Sequence, residues 1–120
     1  MGLRGSRVLL VEDDCLVALA LEDMLADLGC IVAARARNLP EALARAREGG
    51  FAIAILDVSL QGKQVFPVAE LLSEQNIPFA FASGFGRADL PEVFRNRPVA
   101  SKPFQIHELS AALMAALARR

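Results

Sequence analysis

Residues 7–14 read RVLLVEDD, an aliphatic run that ends abruptly in three acids, Glu12, Asp13 and Asp14. A short run of Val and Leu without alternation is how a strand covered on both faces reads, and such strands belong to parallel sheets packed between helices. Neighbouring carboxylates repel one another and resist leaving water. Three of them at the end of a buried strand therefore require either solvent or a countercharge. The same question returns at residues 51–57, FAIAILD, a second apolar run that ends on an acid, Asp57.

Around these two runs the chain alternates between strand and helix patterns. Residues 14–28 carry Leu16, Leu19, Ala20, Met24, Leu25 and Leu28 at helical spacing, and Gly29 is placed to end that helix. CIVAARA (30–36) reads as a second, weaker strand. Asn38 can cap a helix with Pro40 in its first turn, running through EALARARE to Gly49-Gly50. VSLQGKQ (58–64) reads as a loop, and VFPVAELLSEQ (65–75) as a helix with Pro67 near its start. IPFAFAS (77–83) is a further apolar strand, while GRADLPEVFRNR (86–97) supports at best a short helix around Pro91–Phe94. PVASKPF (98–104) is a last short strand, and residues 106–120 form an amphipathic helix with basic residues in its last turn. Phe51, Phe79, Phe81, Phe94 and Phe104 are assigned to the core. Strands alternating with helices five times over short connections predict an α/β layer fold: a parallel five-stranded sheet with helices on both faces.

The chain of 120 residues is sized for one domain, spanning 1–120 with its core at about 6–118, without repeat or linker. A hydrophobic fraction of 54% against 22% charged predicts a packed core, aliphatic apart from Phe because Trp and Tyr are absent. The net charge of −1 gives no electrostatic reason to bind nucleic acid or an anionic membrane. Arg4, Arg7, Arg119 and Arg120 read as solubilising ends. No apolar run approaches the roughly 18 residues of a spanning helix, and no signal peptide is expected ahead of the first strand. Cys15 and Cys30 flank the first helix, roughly 20 Å apart along its axis, too far for a disulfide. They read as buried thiols in a reducing compartment, and the expected localisation is cytoplasmic.

In an open parallel sheet, ligands sit beyond the carboxyl ends of the strands. Those ends bring together Glu12, Asp13 and Asp14, then Asp57 with Ser59 two residues on, then Ser83, then Lys102. The single histidine, His107, is not among them and is expected to be exposed. Carboxylates and carbonyls without His or Cys favour a hard divalent cation, and magnesium is commonly held by one or two carboxylates, waters and a phosphate. A carboxylate beside such an ion can attack a phosphoryl group, with a lysine neutralising charge and a serine hydroxyl bonding a phosphate oxygen.

The set VEDD, LDVSL, ASG and SKPF, in this order, resembles the receiver domain of bacterial two-component response regulators over roughly residues 6–118. The resemblance implies a flavodoxin-like (βα)5 fold with strand order 2-1-3-4-5. It implies Asp57 as phosphoacceptor, and Glu12 and Asp13 as the acidic pair, with Asp13 and Asp57 binding Mg2+ directly and Glu12 through water. Ser59 would lend its backbone carbonyl to the metal, Ser83 would be the switch hydroxyl and Lys102 the charge-neutralising lysine, joined to Pro103 by a cis bond. Asp14 falls outside the pattern and reads as a helix N-terminal acid. GKQVFPVAELL followed by PFAFASGFG is similar to the FAT GUY subclass of single-domain receivers, with Ser for Thr and Gly at the last place of FASGFG. That likeness implies a sensor histidine kinase of the HWE/HisKA2 type, or a histidine phosphotransfer protein, as partner. Output is expected through a protein effector or onward phosphate transfer, with no DNA-binding or output domain, and a homodimer is left open. Val99 stands where receivers usually carry an aromatic switch residue. Phe85 is expected to shield the acyl phosphate from water. No enzymatic turnover is expected beyond Mg2+-dependent self-phosphorylation and slow autodephosphorylation. Two alternatives stay open: a phosphorylation-independent interaction or dimerisation module, and a magnesium phosphatase of the haloacid-dehalogenase type, which normally has a second Asp where Ser59 stands.

Overall fold

The computed structural model describes residues 2–119. The apolar runs form β1 (Arg7–Val11), β2 (Ile31–Ala36), β3 (Ile53–Asp57), β6 (Phe79–Ser83) and β7 (Val99–Ser101), all parallel, in spatial order β2-β1-β3-β6-β7. Counting these strands alone, the order is the expected 2-1-3-4-5. Four α-helices cover them: α1 (Cys15–Asp27), α2 (Leu39–Glu48), α3 (Phe66–Glu74) and α4 (Ile106–Ala118). The fourth crossover is not an α-helix. Residues Gly86–Asp89 and Glu92–Phe94 form two short 3-10 turns around Pro91, whose ring denies the run the amide that a continuous helix needs.

Period-two alternation sorts each central strand onto two cores. Leu9, Val11, Ala54, Leu56, Phe79 and Phe81 face α2 and α3, while Val8, Leu10, Ile53, Ile55, Ala80 and Ala82 face α1 and α4. Phe79, Phe81 and Phe94 are buried, with Phe51 and Phe66 packed against them and Phe104 against the opposite core. The edge strands are less covered, and β2 carries a one-residue bulge where Leu9 skips to Ala34.

α1 presents a different face to the sheet from the one its leucines suggested. Ala18, Leu21 and Leu25 are buried and Met24 and Leu28 partly so, but Leu16, Leu19 and Ala20 are exposed. The helix is apolar around most of its circumference, so spacing alone could not select the face, and small Ala18 lets it approach the strands closely. Cys15, expected to be buried, is exposed for the same reason. Cys30 is buried as expected; its thiol points at the Leu3 carbonyl, and burial pushes its pKa up. Gly29 ends α1 at φ +83°, and a Cβ there would lie 3.1 Å from Arg4 Cα. Gly29→Ala is therefore expected to lower stability by about 1–2 kcal/mol in urea unfolding, from backbone strain and crowding together.

α2 opens as expected, with the Glu41 amide donating to Asn38 Oδ1 at 2.9 Å. Arg119 caps the C-terminus of α4 instead of lying in its last turn, and donates to the Asn96 carbonyl; Arg120 lies outside the described residues. The expected 58–64 loop contains a hairpin, β4 (Ser59–Leu60) paired with β5 (Lys63–Gln64). Its two loop residues, Gln61 and Gly62, both have positive φ, the combination used by tight two-residue hairpins. Leu60, fully buried, pins it to the core. Among the described residues, no helix is long and apolar enough to cross a membrane.

Candidate functional site

Each of the three consecutive acids does a different job. Asp14 is the N-cap of α1, its Oδ1 accepting from the amides of Leu16 and Val17 at 2.9 and 3.2 Å. Glu12 turns inward, 2% exposed, and its Oε2 accepts from the Asp14 amide at 3.1 Å. Asp13 is half-buried at the rim, and its Oδ2 accepts from the Gln61 amide of the hairpin at 2.8 Å. Capping, burial and loop anchoring thus give each of three acids adjacent in the chain its own backbone hydrogen-bond partner.

Asp57 ends β3 between the ends of β1 and β6 and is 6% exposed. Lys102 Nζ bridges it to Glu12, 3.2 Å from Asp57 Oδ1 and 3.2 Å from Glu12 Oε1. The approach to Glu12 Oε1 is an ion pair without hydrogen-bond direction, which leaves that buried oxygen without a hydrogen-bond donor. Carboxylate oxygens of Glu12, Asp13 and Asp57 lie within 4.8 Å of one another. The Lys102–Pro103 bond is cis, and the Lys102 amide donates to the Ser83 carbonyl, tying the end of β7 to the end of β6.

One lysine does not balance this set. Burial and then the neighbouring Glu12 carboxylate push the pKa of Asp57 up to about 7, against a smaller opposing pull from Lys102. Burial disfavours the Lys102 ammonium, but Asp57 and Glu12 outweigh it and raise its pKa, so it stays cationic. Both partners of the pair shift upward because two carboxylates serve one ammonium. Burial also opposes ionisation of Asp13, but hydrogen bonding by Gln61 and by the Glu12 and Asp57 side chains outweighs it and lowers its pKa.

Glu12, Asp13, Asp57, Ser59, Ser83 and Lys102 all line one open cleft of about 460 Å³ at the carboxyl edge of the sheet. Phe85 borders it but is 78% exposed, so its ring flanks the mouth without sealing it. His107 is exposed on α4. A cleft of about 490 Å³ beside α2 is slightly larger, but its Arg35, Arg37 and Arg45 are interleaved with Glu41 and Glu48. Chemistry, not size, singles out the sheet edge. The structure adds one residue that the sequence did not single out. Asp89, six residues beyond Ser83, lines the same cleft and accepts a hydrogen bond from the Ser83 hydroxyl. Nothing local in GRADLP marks it, because the contact exists only once the 3-10 turn folds back over the end of β6.

No protein-family model and no curated protein matches the chain; its likeness is to solved structures. It is similar to SdrG from Sphingomonas melonis Fr1, with 41% identity over 94% of this chain and 97% of that one and a TM-score of 0.85. Against the BeF3-activated conformation of SdrG from Pseudomonas melonis Fr1 the identity is 40%, over 95% and 97% of the two chains, and the TM-score is 0.75. The response regulator PhyR from Brucella abortus is 28% identical over 96% of this chain but only 50% of its own, with a TM-score of 0.74. With the fold, the strand-end residues and full-length likeness to SdrG in agreement, the chain belongs to the receiver-domain family of response regulators.

Proposed function

We propose that the protein is a phosphoacceptor switch in a two-component or phosphorelay system, taking a phosphoryl group from a phosphohistidine on a partner kinase onto Asp57. The observation that carries this reading is the buried Asp57 carboxylate at a strand end, held 3.2 Å from Lys102 and ringed by Glu12 and Asp13 in an open cleft. In the transfer, an Asp57 oxygen forms the P–O bond as the P–N bond to the histidine ring breaks. The ring nitrogen leaves with the electron pair and takes a proton from solvent. Lys102 offsets charge on the incoming group, and the Ser83 hydroxyl donates to one of its oxygens.

The donor set fits Mg2+: three carboxylates, no His or Cys, an excess of negative charge and a buried Glu12 oxygen without a donor. Asp13 and Asp57 would bind it directly, Glu12 through water and Ser59 through its carbonyl. When bound, the ion supplies positive charge that favours the ionised Asp57 nucleophile and neutralises the phosphoryl oxygens. The protein would catalyse nothing beyond its own phosphorylation and slow dephosphorylation. Partners are a sensor histidine kinase, of the HWE/HisKA2 type by resemblance, or a histidine phosphotransfer protein, and output runs through protein contact in the cytoplasm. PhyR from Bartonella quintana, 25% identical, is an anti-anti-sigma factor, but this chain covers 49% of its length. That activity is not carried over.

The test is intact mass after incubation with acetyl phosphate, with and without Mg2+, beside Asp57→Asn. A phosphoryl adduct that requires Mg2+ and is lost in the variant is expected. Absence of both the adduct and beryllofluoride binding would leave the interaction-module reading instead. Turnover of phosphate monoesters would favour the phosphatase.

A further inference from the structure

We infer that Asp89 is a positioning residue that holds the switch hydroxyl of Ser83 in its resting place, so that phosphorylation must take Ser83 away from Asp89. The inference rests on Asp57 being the phosphoacceptor. Ser83 is 1% exposed at the end of β6, and its Oγ makes two hydrogen bonds. It accepts from the Phe85 amide at 3.0 Å and donates to Asp89 Oδ2 at 2.5 Å. A hydroxyl carries one proton, and a carboxylate only accepts, so the Ser83 proton is committed to Asp89. A phosphoryl oxygen on Asp57 is likewise an acceptor. Asp89 and the phosphoryl group therefore compete for one donor within one cleft.

The competition links the chemistry to a segment of chain. Asp89 closes the 3-10 turn Gly86–Asp89, which follows directly on the end of β6. Leu90 next to it is buried, whereas Phe85 is exposed. When Ser83 turns to the phosphoryl group, the turn loses its side-chain tie to the strand end and can rearrange about the Leu90 anchor. Asp89 acts through Ser83 and need not touch the phosphoryl group itself.

The test measures beryllofluoride affinity in the presence of Mg2+, by NMR titration, for the wild type, Asp89→Ala, Asp89→Asn, Ser83→Ala and the Ser83→Ala/Asp89→Ala double variant. Freeing Ser83 from a charged acceptor is expected to tighten binding about 5- to 10-fold in Asp89→Ala. Asp89→Asn, which keeps a neutral acceptor, is expected to gain about 2-fold. In the Ser83→Ala background the Asp89→Ala gain should vanish, because the effect runs through the hydroxyl. A gain of the same size in that background would mean simple charge repulsion and would overturn the inference. So would unchanged affinity in Asp89→Ala with a wild type that binds normally. A wild type that binds no beryllofluoride would instead defeat the phosphoacceptor reading beneath it. If Asp89→Ala does not fold, the comparison with Asp89→Asn decides, and an unchanged affinity there counts against the latch.

Discussion

Without divalent cations, Asp57→Asn is expected to be more stable than the wild type at pH 8, and the advantage is expected to shrink steadily as the pH falls toward 4. The carboxyl of Asp57 titrates near 7 in the folded protein against a usual value of 3.8, because it is buried and faces Glu12. Between those values the folded state holds a proton that the unfolded state has released, so unfolding stability falls as pH rises. The favourable contribution is complete below about pH 4 and is lost as pH passes through about 7. Above that window the ionised carboxylate is a net burden. Allowing for water reaching the open cleft, its size is on the order of 2 kcal/mol. Asn fills nearly the same space without the charge and should show a flatter profile. Thermal melts of both proteins from pH 4 to 8 measure the difference. Parallel curves would mean that Asp57 ionises at an ordinary pKa and that the crowding around it is unimportant. Adding Mg2+ at pH 8 should raise the wild-type melting point and leave that of Asp57→Asn nearly fixed, since a resident cation relieves the excess charge.

Phe81→Ala is expected to remove about 3–5 kcal/mol of stability, enough to threaten folding in a domain of this size. Phe81 is fully buried in a central strand, and its ring packs edge-on against three others. The centroids lie 5.9 Å from Phe66, 5.3 Å from Phe79 and 5.7 Å from Phe94. Truncation forfeits the transfer energy of the ring, the aromatic contacts and the packing of the resulting cavity, which rigid strands on either side cannot close. Phe81→Leu should lose less, about 1–3 kcal/mol, because it refills part of the volume. The urea midpoint is the measurement, with an unchanged slope as the sign that the native state alone was altered. A loss below 1 kcal/mol for Ala would mean that the cluster collapses into the space. The same ring lies two residues before Ser83, so its loss should also loosen the strand end that positions the hydroxyl.

These effects rest on features of unequal legibility. The central strands could be read directly: RVLLV and AILD have apolar side chains on both faces, which water does not tolerate, so only a covered sheet suits them. Their terminal acids could be read too, because a parallel sheet sends every strand end to the same edge. Asn38 and Gly29 announced helix ends through local hydrogen bonding and backbone freedom. The hairpin at 59–64 left only a weak trace, Gly62 after Gln61, since two-residue strands carry no periodicity. Which α1 side chains meet the sheet was not legible, because a helix apolar nearly all round has no preferred side until something packs against it.

What the sequence by itself determined was the layer order of the fold and the inventory of charged and hydroxyl groups at its edge, because both follow from local patterns of burial and strand direction. Only the tertiary structure decided which face of α1 meets the sheet, which acid caps a helix and which stays buried, and that Asp89 holds the Ser83 proton. Those outcomes depend on distances of a few ångströms between segments remote in the chain, and such distances are set only when the whole core packs at once.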